Sequence, residues 1–462
     1  MKNIKIAYIG GGSKMWAPIF MKDLALTDDL TGEIALYDID IDAANRNKII
    51  GNKINLNHLT KSKFVYEVYQ DIEDALTNAD FVVISILPGT LEEMRVDVHL
   101  PEKYGIYQAV GDTVGPGGVI RAMRTVPLYE KFALAIKKCC PNAWVINLTN
   151  PMSICLKTLY DVFPNIKAYG CCHEVFHAQD FLTLVAEKTL KIKRPNRKDI
   201  YTDASGINHF TWITEAKYKD IDLLSLIPQF EKKYYKDGYY ENPLGHRYDF
   251  KFDCFAYGNK VKMFLFNQYG CLPAAGDRHL VEFVNNEWFL KNKRQVKSWK
   301  YSLTNVDYRI KQYQNREEEL TSIANGEKEL ILEKSQEECV DMIKALLGYK
   351  VLVSNVNLPN SGQVPYLPWG SIVETNCVFT NGMIKPIVSK NVPLAVQNLI
   401  YRNCINIDNL YDGIKRRDLM TIYNCFMNQP LCSNLSFEKG KKLFDEMILG
   451  TKKYLEDFYY DI

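Results

Sequence analysis

Three short stretches of this chain carry residue types from which a metal-assisted reaction could be assembled. Gly170-Cys171-Cys172-His173-Glu174-Val175 sets a thiol, an imidazole and a carboxylate in consecutive positions. Gly206-Ile207-Asn208-His209-Phe210-Thr211-Trp212 adds another imidazole, and the run from Gln268 to His279 adds the phenol of Tyr269, the carboxylate of Asp277, the cation of Arg278 and the ring of His279. A thiolate and an imidazole together can hold a divalent ion and leave coordination positions open for oxygens of a bound molecule. The competing reading is structural: a single Cys packs as a small buried hydrophobe, and a single His is often a satisfied core ring.

For these residues to meet, the chain must gather them at one edge of a sheet. Lys2 to Gly10 is apolar and β-branched, Gly10-Gly11-Gly12-Ser13 turns into a helix carrying Trp16, Ile19 and Phe20, and Glu33 to Asp38 reads as a second strand ending on an acid. Strand, glycine turn, helix, strand, acid is the order of a dinucleotide site. Glycines let backbone N–H groups approach a pyrophosphate at the helix N-terminus, and Asp38 suits ribose hydroxyls. The turn is not a strict GxGxxG, because Met15 holds the third glycine position, and a plain tight turn is the alternative. Further strands are expected over 64–69, 80–86, 143–147 and 167–170, the fourth ending at Leu87-Pro88 and the fifth at Asn147. Helical stretches over 42–56 and 128–138 fall between them. This alternation predicts an α/β fold, a Rossmann-like doubly wound parallel sheet, over residues 1–175.

A glycine-rich excursion over 110–118, containing Asp112 and followed by Arg121 and Arg124, reads as a surface loop or as a loop closing over a ligand. Beyond 175 the alternation fades. A strand over 213–218, an aromatic-rich region over 230–255 and helices around 317–324, 337–347 and 437–447 predict a mixed, largely helical second domain, 176–462. No low-complexity linker separates the two, so the second is expected to pack closely on the first.

Bulk properties exclude several classes. Lys+Arg 57 against Asp+Glu 55 leaves a net charge of +2, no field for a nucleic acid. The longest apolar runs, such as 81–87, are too short to span a membrane. The first residues read straight into a strand, with no room for a signal peptide, so the twelve cysteines are expected as reduced thiols in the cytoplasm.

Taken together, Ile9-Gly10-Gly11-Gly12-Ser13, Leu148-Thr149-Asn150-Pro151, Cys172-His173-Glu174-Val175, Asn208-His209-Phe210 and the run through Glu282-Phe283 closely resemble the NAD- and manganese-dependent glycosidases of glycoside hydrolase family 4. That family departs from the two-carboxylate scheme of most glycosidases. The resemblance implies oxidation of the sugar at C3 by NAD+, removal of the acidified C2 proton, elimination of the glycosidic oxygen, addition of water at C1 and re-reduction at C3. A divalent ion, Mn2+ or another, acts as the Lewis acid.

By motif position the resemblance implies Cys172 and His209 as metal ligands. It implies Gly10, Gly11, Gly12, Ser13, Asp38, Leu87, Pro88 and Asn147 at the cofactor, and Arg95 and Asn150 at the substrate. It places Asp112 as the group that raises the basicity of the base, and Tyr269 or Asp277 as that base. His173 follows the ligand Cys where some relatives carry an acidic proton donor, so its donor role is inference.

The Cys-His-Glu-Val form resembles members acting on unphosphorylated α-glycosides, and 275–283 looks most like the α-galacturonidase branch. A uronate carboxylate needs a cation, for which Arg278, with His279 assisting, is the expectation. A structural ion pair of Arg278 with Asp277 or Glu282 is the alternative. α-Glucosidase, α-glucuronidase and α-galactosidase activities are the runners-up, and a lactate/malate-type dehydrogenase is the reading from another class. A small-molecule carbohydrate is the expected partner, with no nucleic acid, no membrane, and assembly into a dimer or tetramer.

Overall fold

The computed structural model describes residues 1–240 and 250–458; part of the aromatic-rich region, 241–249, lies outside the described residues. Six parallel strands follow the expected positions: β1 (Lys2–Ile9), β2 (Leu30–Tyr37), β3 (Phe64–Tyr69), β4 (Phe81–Ile84), β5 (Trp144–Asn147) and β6 (Lys167–Gly170). Their spatial order is 3-2-1-4-5-6, the doubly wound arrangement whose ligand crevice lies beyond the strands' carboxyl ends. The pleat explains the sequence. On β1, Ile6 and Tyr8 pack with one cluster of the core and Ala7 and Ile9 with another on the opposite face. A strand covered on both faces reads as continuously apolar. Each fully buried aliphatic side chain contributes about 1.5–3 kcal/mol.

The same sheet continues into the second half of the chain. β7 (Ile200–Ile207), β8 (Phe210–Tyr218), β9 (Ile221–Asp222), β10 (Leu272–Pro273), β11 (Leu352–Pro359), β12 (Ile372–Thr380) and β13 (Met383–Pro386) are all antiparallel to their neighbours. β11 joins the parallel half through Asn357 opposite Gly170, at the end of β6. Residue 175 falls in the first turn of the helix Glu174–Leu190, which leaves β6. The C-terminal third holds the expected helices, Val306–Asn325, Cys339–Leu346 and Phe437–Gly450, and also β11 to β13, which the pattern did not announce. The reason is chemical: β11 and β12 bury Ser354, Asn355, Asn357, Glu374 and Thr375, so the apolar alternation that marks a strand is broken.

The excursion over 110–118 is neither a surface loop nor a free flap. Glu282 accepts the Val110 N–H at 2.8 Å and the Gly111 N–H at 3.1 Å, and Gly115-Pro116-Gly117-Gly118 opens a long buried helix, Gly115–Cys139. Asp112 and Thr113 are thereby held rigidly at the crevice.

Candidate active site

Four segments deliver side chains to the carboxyl edge of the sheet. Cys172 and His173 follow β6, Asp112 and Thr113 precede the helix Gly115–Cys139, His209 sits in the turn between β7 and β8, and His279 lies in the short helix Asp277–Leu280. The β7–β8 connection is two residues, Asn208-His209, between the paired Ile207 and Phe210. It requires a left-handed backbone at His209, φ 63°. Such a conformation in a residue with a Cβ costs roughly 1–2 kcal/mol and persists only where surroundings hold it.

Those surroundings are visible. Thr113 Oγ1 lies 3.0 Å from His209 Nδ1 and donates to Asp112 Oδ1 at 2.7 Å. The rings of His209 and His279 are 3.9 Å apart. One donor atom each from Asp112, His209 and His279 lies within 4.8 Å of the other two, a grouping able to hold a metal ion. The Cys172 thiol is not within that group. It sits beside the amide of Asn208 and near Glu374 and Glu174. Both polar atoms of the Asn208 amide, and Oδ1 of Asn150, are buried without a hydrogen-bond partner. Orphaned polar atoms of this kind carry a cost of about 1–3 kcal/mol each until something meets them.

Electrostatics distinguish the members. Burial works against the Asp112 carboxylate, but Arg121, with His279 and His209, outweighs it and brings its pKa to about 2. Burial drives His209 down to about 3, so its ring is neutral. Burial opposes ionisation of Glu174, yet His279, His177, His173 and His209 hold it well below the usual carboxylate range. Burial, then Glu374 and Glu174, push the Cys172 thiol well up. Cys172 is only 5% exposed. The exposed, low-pKa thiolate that a metal-binding cysteine suggests is therefore not what the protein alone presents; a bound cation is needed to draw the proton off.

The other sequence-nominated residues divide. His173 joins the site, its Nε2 3.6 Å from Glu174 Oε1, its ring stacked on Trp16. Gly10 has φ 93°, and a Cβ there would lie 2.0 Å from the Ser85 carbonyl oxygen; beside it, Gly12 N–H donates to Asp38 at 2.8 Å. Ser13 Oγ accepts the Trp16 N–H at the start of the helix Trp16–Ala25. Leu87 and Pro88 follow β4, where Leu87 is exposed. Asn147 is committed internally, accepting from Tyr129 at 2.5 Å and donating to the Thr149 carbonyl at 3.0 Å. Arg95 lies on the flank of the helix Leu91–His99, paired with Asp307 at 2.7 Å and Glu92 at 3.0 Å.

Tyr269 packs edge-on against Trp212, 5.7 Å between centroids. Asp277 is fully buried and accepts the Lys262 N–H at 2.9 Å, capping the helix Lys260–Tyr269; burial raises its pKa to about 6. Arg278 is not paired with Asp277 or Glu282. It donates to the Ala109 carbonyl, to Thr304 at 2.8 Å and to the Ser302 carbonyl at 3.1 Å.

Several site residues carry no motif. Arg309 stands 5.5 Å from the Phe255 ring centroid and Arg278 5.3 Å from the same ring. Among the described residues no carboxylate lies within 4 Å of either guanidinium. Tyr257 lies flat over Gly276, where a Cβ would meet its phenol oxygen at 2.8 Å, and the Gly276 N–H donates to Glu174 at 2.6 Å. Glu374 accepts from Thr211 at 2.5 Å and Asn357 at 3.2 Å, and burial raises its pKa to about 7. Only His177, four residues after His173, had a legible spacing.

Fold and site define a class: a doubly wound α/β protein with imidazole, thiol and carboxylate donors at the crevice of its parallel sheet. The chain belongs to family 4 of the glycosyl hydrolases, whose models match residues 5–187 and, for the C-terminal domain, 204–432. It is 46% identical over 454 residues, 98% of this chain and 97% of the other, to an α-galacturonidase of Thermoanaerobacterium saccharolyticum. The crystal structure of lplD from Bacillus subtilis superposes with a TM-score of 0.91 at 43% identity, covering 97% of this chain and all of that one. A 6-phospho-β-glucosidase from Thermotoga maritima, solved with manganese, NAD+ and glucose-6-phosphate, shares the fold at a TM-score of 0.75 and 20% identity over 98% of this chain and 99% of that one. Among the described residues no helix is long and apolar enough to cross a membrane.

Proposed function

We propose that this enzyme hydrolyses α-galacturonides, using NAD+ and a divalent ion. The observation that carries the substrate is the arginine pair on Phe255. Two desolvated cations near one ring, with no carboxylate within 4 Å of either among the described residues, suit the C6 carboxylate of a uronate. The name of the T. saccharolyticum relative supports the same choice.

The residues present fit both cofactors. The glycine turn leaves no room for a Cβ at Gly10, and beside the donor group of Asp112, His209 and His279 stand the Cys172 thiol and the unpartnered Asn208 amide. Gly10, Gly11, Gly12, Ser13 and Asp38 would hold NAD+, with Leu87, Pro88 and Asn147 shaping the strand ends beneath it. Cys172 and His209 would hold the ion, with His279 and Asp112 beside them. Bound, the two groups supply hydride acceptance at C3 and polarisation of the sugar's oxygens.

The remaining work falls to side chains. His173 carries the proton to the departing oxygen. Asn150 meets a sugar hydroxyl with its free carbonyl oxygen, and Arg95, released from Asp307, reaches the outer part of the substrate. Asp277 is spent on a helix end, so the base at C2 is a phenol. The Tyr257 ring lies against Gly276, whose N–H donates to Glu174, whereas the Tyr269 ring packs on Trp212, and we assign the base to Tyr257. We place the enzyme in the cytoplasm, where its twelve free cysteines stay reduced, as a homo-oligomer.

The test is a panel of α-linked galacturonides, glucuronides, glucosides and galactosides assayed with NAD+, Mn2+ and reductant. Galacturonide cleavage at catalytic NAD+, without net NADH, is expected. NADH accumulating in proportion to product would instead make the protein a dehydrogenase, and preferential cleavage of a neutral glycoside would overturn the substrate.

A further inference from the structure

The proposed hydrolysis leaves two members of a second cluster, His177 and Glu337, without work. His173-Glu174-Val175-Phe176-His177 sets two imidazoles four residues apart at the start of the helix Glu174–Leu190, hence on one face of it. Their rings are 4.6 Å apart. One donor atom each from His173, Glu174 and His177 lies within 4.8 Å of the other two. A fourth group arrives independently from a distant part of the sequence: Oε1 of Glu337, just before the helix Cys339–Leu346, is 3.9 Å from His173 Nδ1. Glu174 stands between the two clusters, its Oε1 3.6 Å from His173 Nε2 and 3.8 Å from His279 Nε2.

We infer that His173, Glu174 and His177 form a second divalent-metal site, selective for a zinc-like ion, with Glu337 orienting the His173 ring from its other nitrogen. Two imidazoles at this helical spacing with a carboxylate are a donor set that zinc accepts in tetrahedral form, whereas manganese favours oxygen-rich surroundings. Neither His177 nor Glu337 has work in the proposed hydrolysis. Occupancy would also tie up the lone pair of His173 that carries the proton to the leaving group, so zinc here inhibits; this consequence alone rests on the proposed role of His173.

The experiment is equilibrium dialysis of the full-length protein against Zn2+, with bound metal counted by mass spectrometry. Two ions per chain are expected for the wild type, one for His177→Ala, one for Cys172→Ser, and none for the double variant. Equal counts in the wild type and His177→Ala would overturn the site. Two ions in Cys172→Ser, with one in His177→Ala, would leave the site standing and sink the thiol-ligand reading instead. Glu337→Gln, a near-isosteric change, keeps the question decidable if His177→Ala does not fold. It is expected to weaken one of the two ions by about tenfold or more, and an unchanged isotherm would overturn the assignment.

Discussion

The Thr113 hydroxyl lies 3.0 Å from Nδ1 of His209, and this contact settles which nitrogen of that ring is available. The hydroxyl has a single proton, which it gives to Asp112 at 2.7 Å, an ionised carboxylate that can only accept. Thr113 must therefore accept from His209, whose Nδ1 carries the hydrogen and whose Nε2 keeps its lone pair. A second group that fixes the tautomer of a ligating histidine typically accounts for 10–100-fold in metal affinity. Thr113→Val should accordingly raise the Mn2+ concentration needed for half-maximal activity by roughly 10–100-fold, and Thr113→Ser should restore it. Equal metal dependence in all three proteins would break the link between Thr113 and the ion.

The arginine pair predicts a specificity change. A hydrogen bond to a charged group contributes about 1.5–3 kcal/mol, or 10–150-fold. Arg309→Met should lower kcat/KM for a galacturonide by that factor while leaving a neutral α-galactoside within a few-fold. Parallel losses on both substrates would assign Arg309 to packing on Phe255.

The two phenols can be told apart. Tyr257→Phe should reduce kcat by about 100-fold or more, the scale of a lost general base, and slow solvent-deuterium incorporation at C2 of the sugar. Tyr269→Phe should cost less than about tenfold, because its ring packs on Trp212 and the substitution keeps that ring. The reverse ranking would return the role to Tyr269.

Glu282 gives a stability prediction. Burial raises its pKa to about 8 in the folded protein, although it accepts the Val110 and Gly111 N–H groups. A carboxyl whose folded pKa exceeds its unfolded value of about 4.3 contributes fully below that value and loses its contribution as pH rises towards 8. Glu282→Gln keeps an acceptor oxygen but cannot ionise. Thermal midpoints of the two proteins should nearly coincide at pH 5, and the variant should be higher by on the order of 2 °C at pH 9. A variant destabilised equally at both values would show that the second oxygen matters more than the charge.

Much of the architecture was legible because it rests on local rules. Continuous apolar, β-branched runs alternating with helical stretches located the six parallel strands, and the glycine turn after the first located the crevice. Cys172, His173 and His209 were visible as reactive types at strand ends. What stayed hidden lies in segments whose sequence follows no periodicity, since β11 and β12 bury polar residues for the site's sake. A glycine-rich stretch that reads as a surface loop or a loop closing over a ligand is in fact pinned by Glu282.

The amino-acid sequence alone determined the class of sheet, the family and the chemistry on offer, because strand pattern, turn geometry and ligand type are properties of neighbouring residues. Only the tertiary structure decided the partners. That Thr113 orients His209, that Arg278 and Arg309 both stand by Phe255, that Asp277 caps a helix, and that Cys172 is a buried thiol all depend on side chains tens to hundreds of residues apart. Their proximity follows from how the helices and the antiparallel half of the sheet pack, which no local pattern encodes.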